Sequence, residues 1–384
     1  AALLTAISPA MAYYSRFYIQ EILLVFFTLL SLASGWLCLQ SGSRRWAVVC
    51  GLSAGLMFAT KETAVIAYAA LAGAAGLCAI ISRTKCYPLK NIVWALIAAV
   101  FIAILLFSSF FTHLNGPLES ILAFKGYAAR GSGVNTDHVQ PWNYYLRMLS
   151  AYRFGGGPWW SEGLAFGLGL IGCIFILLKK LPENCNPGLA RFLMFYTLLL
   201  TLGYSVISYK TPWCMLSFLH GWILLAAIGI ASLFNALSNT ITIRRVIRPA
   251  RLLLLLLLTF PAFATYQLAH RTVYRYAADF RNPYVYAHTS PDFKNLVNRI
   301  TDLTAVSPKG NNIYIQVIAK PDSTWPLPFY LRKFPNIGYW TDASEVPGEV
   351  KPDLIISRVD FEADAEAFLP EYYGLRPDTL LAIH

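Results

Sequence analysis

Eight apolar blocks, separated by short basic or aromatic turns, constrain this chain more than any other feature. They cover residues 22–40, 46–60, 63–82, 91–112, 163–178, 190–208, 214–234 and 252–270. A hydrocarbon core ~30 Å thick needs about 20 apolar residues per helix, and no soluble fold imposes that block length. The second block is short and predicts a tilted helix or a locally thin bilayer. Of the 384 residues, 57% are hydrophobic and 13% charged, where a soluble domain carries about a quarter charged residues. The expected architecture is an α-helical polytopic membrane protein of about eight or nine spans over residues 1–270. A small extracytoplasmic α/β domain is expected over 271–384.

The net charge of +11 follows the connectors between blocks. Arg44/Arg45, Arg83/Lys85/Lys90, Lys179/Lys180/Arg191 and Arg244/Arg245/Arg248/Arg251 all fall on one side when crossings are counted. The positive-inside rule makes that side cytoplasmic, and the protein a multi-pass cell-membrane protein. No basic stripe interleaved with aromatics lies on a soluble face, which argues against a nucleic-acid partner. Residues 1–12 are an apolar run without a basic n-region or a small-residue cleavage site, unlike a signal peptide. That run reads as the end of a helix whose beginning is missing. The seven cysteines (Cys38, Cys50, Cys78, Cys86, Cys173, Cys185 and Cys214) lie in predicted helices or inner loops, so no disulfide framework is expected outside.

The tail carries the pattern of a folded layer. Ser290-Pro291-Asp292 predicts a helix start, with Phe293, Leu296, Val297, Ile300 and Leu303 at helical spacing. Residues 312–318 and 353–357 have strand length and β-branched content. The aromatics of 325–332 are expected in the core of this domain, with a binding surface as the other reading.

Topology gathers the informative polar residues on the outer face. Arg16 and Glu21 stand at a helix start, where they form either an interfacial anchor with Tyr13, Tyr14 and Tyr18 or a functional pair. Lys61-Glu62 is a charged turn of minimal length that sets a fixed cation where a lipid phosphate would lie; the plain alternative is snorkelling. Lys210 occupies a second minimal turn, Tyr209-Lys210-Thr211-Pro212-Trp213. The loop 113–162 adds Lys125, Arg130, Asp137, His138, Trp142, Tyr145, Arg147, Arg153 and Trp159-Trp160-Ser161-Glu162. An ordered loop of that length is uncommon without a function, although His138 alone reads as a solvated histidine. Nucleotide-loop, zincin, Cys-x-x-Cys and nucleophile-elbow motifs are absent. Gly155-Gly156-Gly157, followed by Pro158, reads as a hinge.

In order, these clusters resemble the GT-C superfamily of membrane glycosyltransferases, which includes protein O-mannosyltransferases and lipid A aminoarabinose transferases. The resemblance rests on Ser8-Pro9 with Tyr14-Ser15-Arg16 and Glu21, on the segment from Gly51-Leu52 to Thr60-Lys61-Glu62, and on His138-Val139-Gln140-Pro141-Trp142-Asn143-Tyr144-Tyr145. Tyr209 to Trp213 and Trp325 to Arg332 are similar to an archaeal and bacterial branch named for association with flippase activity.

The resemblance implies transfer of a sugar from a polyprenyl-phosphate donor to an extracytoplasmic acceptor, with the bilayer and the donor lipid as partners. It implies phosphate contacts for Arg16, Lys61 and Lys210, and an acidic catalytic role for Glu21. Substrate contacts fall to Glu62, His138, Trp142 and Tyr145. It names no certain cofactor and leaves a divalent metal open. The family's principal acid lies upstream of residue 1, and Glu21 stands where Asp is usual, so the base is unassigned. A non-catalytic partner of a lipid-linked-sugar flippase or of envelope-glycan assembly is the alternative. A transporter ranks third, because the charges cluster at helix ends and not at the midplane.

Overall fold

The computed structural model describes residues 1–82, 89–133, 138–240, 244–346, 352–357 and 381–383. Arg83, Lys85, Cys86 and Asp137 lie outside the described residues. The chain separates into two compact units: Ala1–Ala277 with Arg281–Tyr284, and Ala278–Phe280 with Val285–His384.

The first unit is helical. Two short helices, α1 (Ala2–Ile7) and α2 (Pro9–Ser15), lead into α3 (Gln20–Ser41), α4 (Arg44–Thr60), α5 (Ala64–Ser82) and α6 (Leu89–Phe107). Then come α7 (Gly116–Leu122), α8 (Phe124–Gly131) and α9 (Tyr144–Ser150), followed by α10 (Gly163–Leu177), α11 (Pro187–Val206), α12 (Met215–Thr240) and α13 (Arg244–His270). Ser8 is extended and ends α1; its hydroxyl accepts from the Met11 amide at 3.3 Å, and Pro9 stands where no N–H is needed.

Six helical stretches among the described residues, rather than eight or nine, are long and apolar enough to cross a membrane. The chain is a multi-pass membrane protein. The blocks 46–60 and 163–178 form helices, α4 and α10, of only 17 and 15 residues. The block 91–112 does not run to its predicted end. Ser109, Phe110 and Phe111 take left-handed conformations, and Ser108 Oγ accepts from the Phe111 amide at 3.0 Å, which closes α6 at Phe107.

Helix pairs close on small residues. A Cβ at Gly51 would lie 2.0 Å from the Ala95 carbonyl oxygen, and one at Gly55 2.4 Å from that of Ala99. Only glycine lets α4 and α6 meet backbone to backbone, as membrane helices do in the absence of a strong hydrophobic driving force. Gly172 similarly lets α10 reach the Leu225 carbonyl of α12. Successive long helices reverse direction. The ends at Glu21, Lys61, Glu162 and Lys210 therefore share one end of the bundle. Arg44, whose guanidinium lies 3.3 Å over the Trp94 ring, marks the other.

The second unit is an α/β layer. Strands β1 (Ala287–Thr289) and β5 (Leu381–Ile383) pair antiparallel, while β2 (Ile315–Ile318), β3 (Ile337–Trp340) and β4 (Leu354–Ser357) form a parallel sheet in the order β3-β2-β4. Helix α14 (Asp292–Val306) starts where Ser290 Oγ accepts from the Asp292 amide at 3.2 Å. Two short helices, α15 (Pro321–Thr324) and α16 (Leu327–Tyr330), follow β2. Phe293, Ile300, Ile315, Val317, Leu327, Leu331, Phe334 and Ile356 make the core. The aromatics of 325–332 are not that core. Trp325 and Phe329 are 65% and 53% exposed, because the turn of α16 points Leu327 and Leu331 inward in their place.

Candidate functional site

Glu21 lies in the first turn of α3 and Lys61 at the extended residue that ends α4. The antiparallel packing of these helices brings the two side chains into an ion pair with Glu21 Oε1. Glu21 is sealed at 1% exposure and its Oε2 has no hydrogen-bond partner, whereas Lys61 keeps 15% of its side chain open. The ammonium is the exposed half of the pair. It also lies 5.8 Å over the Trp213 ring. Burial works to lower the Lys61 pKa, but Cys214, Glu21 and Glu62 outweigh it and the net shift is upward, so the Lys61 side chain is an ammonium at neutral pH.

Lys61 opens on a cavity of about 190 Å³ that it shares with Glu62, Phe58, Phe107, Ser120, Phe124 and Tyr127. Phe58 and Phe124 are parallel, 5.9 Å apart, and Tyr127 stands edge-on to Phe124 at 5.7 Å. The arrangement offers one cation, one carboxylate, the hydroxyls of Thr60, Ser120 and Tyr127, and aromatic walls. A fixed cation flanked by hydroxyls is the chemistry that pairs with an anion.

The other expected site residues are distributed differently. Arg16 ends α2, with its guanidinium 4.9 Å over the Tyr274 ring. It faces a separate cavity of about 760 Å³ that includes Ile22, Phe26, His220, His270 and Tyr274. Lys210 is 4% exposed and lines neither cavity. Its ammonium donates to the Gln140 carbonyl at 3.3 Å and to that of Ile207, and its amide donates to the His138 carbonyl at 3.0 Å. Burial lowers its pKa.

His138 packs its ring 5.6 Å from Tyr209, while Tyr145 is buried and donates to the Thr211 carbonyl at 3.0 Å. Lys210, His138 and Tyr145 thus fasten the loop to the 208–211 turn. Trp142, 67% exposed, lines neither cavity. The structure brings Glu21, Lys61 and Glu62 together and sets Arg16 apart.

Sequence reasoning passed over the aromatic walls, since Phe58 and Phe107 lie in apolar blocks and Phe124 in the long loop, where none of them stands out. It also gave no role to Glu162, which is as deeply buried as Glu21. Among the described residues no group of three His, Cys, Asp or Glu side chains is placed to hold a metal ion, so no residue here is assigned to a divalent cation.

A family model described as dolichyl-phosphate-mannose-protein mannosyltransferase matches residues 1–113, the stretch that contains Arg16, Glu21, Lys61 and Glu62. The fold is similar to the crystal structure of ArnT from Cupriavidus metallidurans bound to undecaprenyl phosphate. That match has a TM-score of 0.55 and 15% identity, over 99% of this chain and 78% of that one. No protein of curated function matches the sequence.

Proposed function

We propose that this chain, a multi-pass membrane protein with the fold of GT-C glycosyltransferases, transfers a sugar from a polyprenyl-phosphate-linked donor to an acceptor hydroxyl. The observation that carries the reading is the Lys61 ammonium, held by a buried carboxylate at the rim of an aromatic-walled cavity at the end of the bundle. In the reaction the acceptor oxygen bonds to the anomeric carbon and the bond from that carbon to the phosphate oxygen breaks. The phosphate leaves with the electron pair, and its charge grows as the bond opens. A preorganised cation in a poorly hydrated site stabilises that growth. Lys61 fills this role, and Glu21 keeps its ammonium in place.

The acceptor hydroxyl must also lose its proton to a base. Glu62 is the one carboxylate among the residues that line the Lys61 cavity, and we assign it that part. The walls formed by Phe58, Phe124 and Tyr127 take the faces of the sugar. The end of the bundle that bears Lys61 faces away from the cytoplasm, opposite the arginine-rich turns, in keeping with the positive-inside rule. The ArnT likeness adds that this fold accommodates a polyprenyl phosphate in another protein.

The test is transfer of labelled sugar from a synthetic polyprenyl-phosphate sugar in proteoliposomes. Lys61→Ala is expected to lower the rate about a hundredfold or more, the usual loss when a transition-state charge partner is removed. Lys61→Ala and Glu62→Gln proteins that both turn over at the wild-type rate would end the proposal.

A further inference from the structure

Glu162 immediately precedes α10 and is 1% exposed, among stretches of chain that are remote in sequence. Its Oε1 accepts from the Ala10 amide in the first turn of α2 at 2.7 Å and from the Tyr284 hydroxyl at 3.4 Å. Its Oε2 has no hydrogen-bond partner. Around it the chain is tied together. The Tyr14 hydroxyl donates to the Tyr284 carbonyl at 2.8 Å, and the Tyr284 amide donates to Asn282 Oδ1 at 3.1 Å. Asn282 donates to the Tyr276 carbonyl at 2.9 Å, and the rings of Tyr13 and Tyr14 pack edge to face at 5.2 Å.

A carboxylate in this place holds its charge in a low-dielectric interior with one oxygen unserved and no cation beside it, which is costly even though the Ala10 and Tyr284 donors offset part of that cost. The titratable group that reaches it is a phenol, Tyr284 from the 281–284 segment, which in turn interacts with Tyr144 from α9 and accepts at its carbonyl from Tyr14 of α2. Burial raises the pKa values of Tyr284 and Tyr144, so neither ionises near neutrality. The groups that act on Glu162 are the Ala10 amide and the Ser8 and Tyr284 hydroxyls, with no cation among them. Burial pushes its carboxyl up to about 7.

We infer that Glu162 is a positioning residue that, by accepting from both the Ala10 amide and the Tyr284 hydroxyl, ties α2 to the Arg281–Tyr284 segment and thereby sets the run from Arg16 to Glu21 into which α2 leads. The inference goes beyond the transferase reading, because the geometry of the clamp does not depend on which substrate is used. Its pH behaviour has a definite sign. The folded carboxyl holds its proton above the ordinary value of 4.5, so the stability it contributes is complete below 4.5 and falls away as pH rises to about 7. An ionised carboxyl at this depth gains by drawing in water, which opens the packing around α2, so transfer should fall over the same window.

The test compares thermal unfolding of detergent-solubilised full chain, and the pH profile of transfer, between about pH 5 and pH 8, the range that brackets this titration. Glu162→Gln mimics the protonated carboxyl; it is expected to fold, to keep acid-side activity and to lose the alkaline decline in both readouts. Glu162→Ala removes the acceptor for Ala10 and Tyr284 and is expected to unfold earlier at every pH. Tyr284→Phe removes a donor that favours the charged form, so the decline should move to higher pH. A Glu162→Gln protein with the wild-type decline, or a Tyr284→Phe protein with an unmoved one, would overturn the inference. Unfolding needs no substrate, so this outcome is distinct from failure of the transferase reading.

Discussion

Lys61 and Glu21 are joined in an ion pair in which the acid is sealed and the base is open. The asymmetry decides what each residue can do. A substrate reaching this end of the bundle meets the ammonium, and the carboxylate behind it meets only protein.

Breaking such a pair from one side strands a buried charge, which costs about 3–5 kcal/mol, whereas replacing both members by apolar residues is often near neutral. Glu21→Leu and Lys61→Met should each lower the unfolding temperature in detergent. The double variant should recover most of that loss while remaining inactive in transfer. Strictly additive losses across this cycle would show that the two side chains do not act as a pair.

The contact between α4 and α6 leaves no room at Gly55, where a Cβ would lie 2.2 Å from Ile102 Cγ2 and 2.4 Å from the Ala99 carbonyl oxygen. Gly55→Leu must push the helices apart, and overpacking of this kind costs about 1–3 kcal/mol or more. Loss of Lys61-dependent activity should accompany the lower unfolding temperature, since α4 ends at Lys61. Gly42, with a φ of +65° and nothing near its Cβ position, makes the contrast: alanine there strains only the backbone and should leave the α4–α6 contact intact.

Sidedness can be read by labelling. Trp142 and Lys180 are both exposed, the first in the loop near Lys210 and the second in a basic turn at the other end of the bundle. With native cysteines replaced, Trp142→Cys in intact cells should react with a membrane-impermeant maleimide. Lys180→Cys should react only after the membrane is opened. Equal reactivity of both in intact cells would contradict the assigned orientation.

The helices were legible because apolar blocks of bilayer length have one cheap solution in lipid, a helix whose backbone bonds are internal. Their ends were less so. Nothing in Ser108-Ser109-Phe110-Phe111 departs from an apolar helical pattern; the stop is made by a side-chain cap and a left-handed turn. The pairing of Glu21 with Lys61 was half visible, since crossings place both at one end but cannot say which cations share a cavity. Lys210 shows the limit. In sequence it is a cation in a minimal turn like Lys61, yet the loop that docks on it supplies carbonyls and buries it. Glu162 stood among the polar residues of the long loop but without a role, because its partners at Ala10 and Tyr284 are brought to it only by the tertiary fold. In the second unit, helical geometry and not residue type sorted Leu327 inward and Phe329 outward.

The glycine seam between α4 and α6 has a consequence for how a substrate gains admission. Phe58 to Glu62 come from the end of one helix and Phe107 from the end of the other, and helices locked carbonyl to Cα cannot slide independently. The floor of the cavity is therefore a single rigid plate. Whatever breathing is required must come from the opposite wall, where Ser120, Phe124 and Tyr127 ride on two short surface helices with few buried side chains.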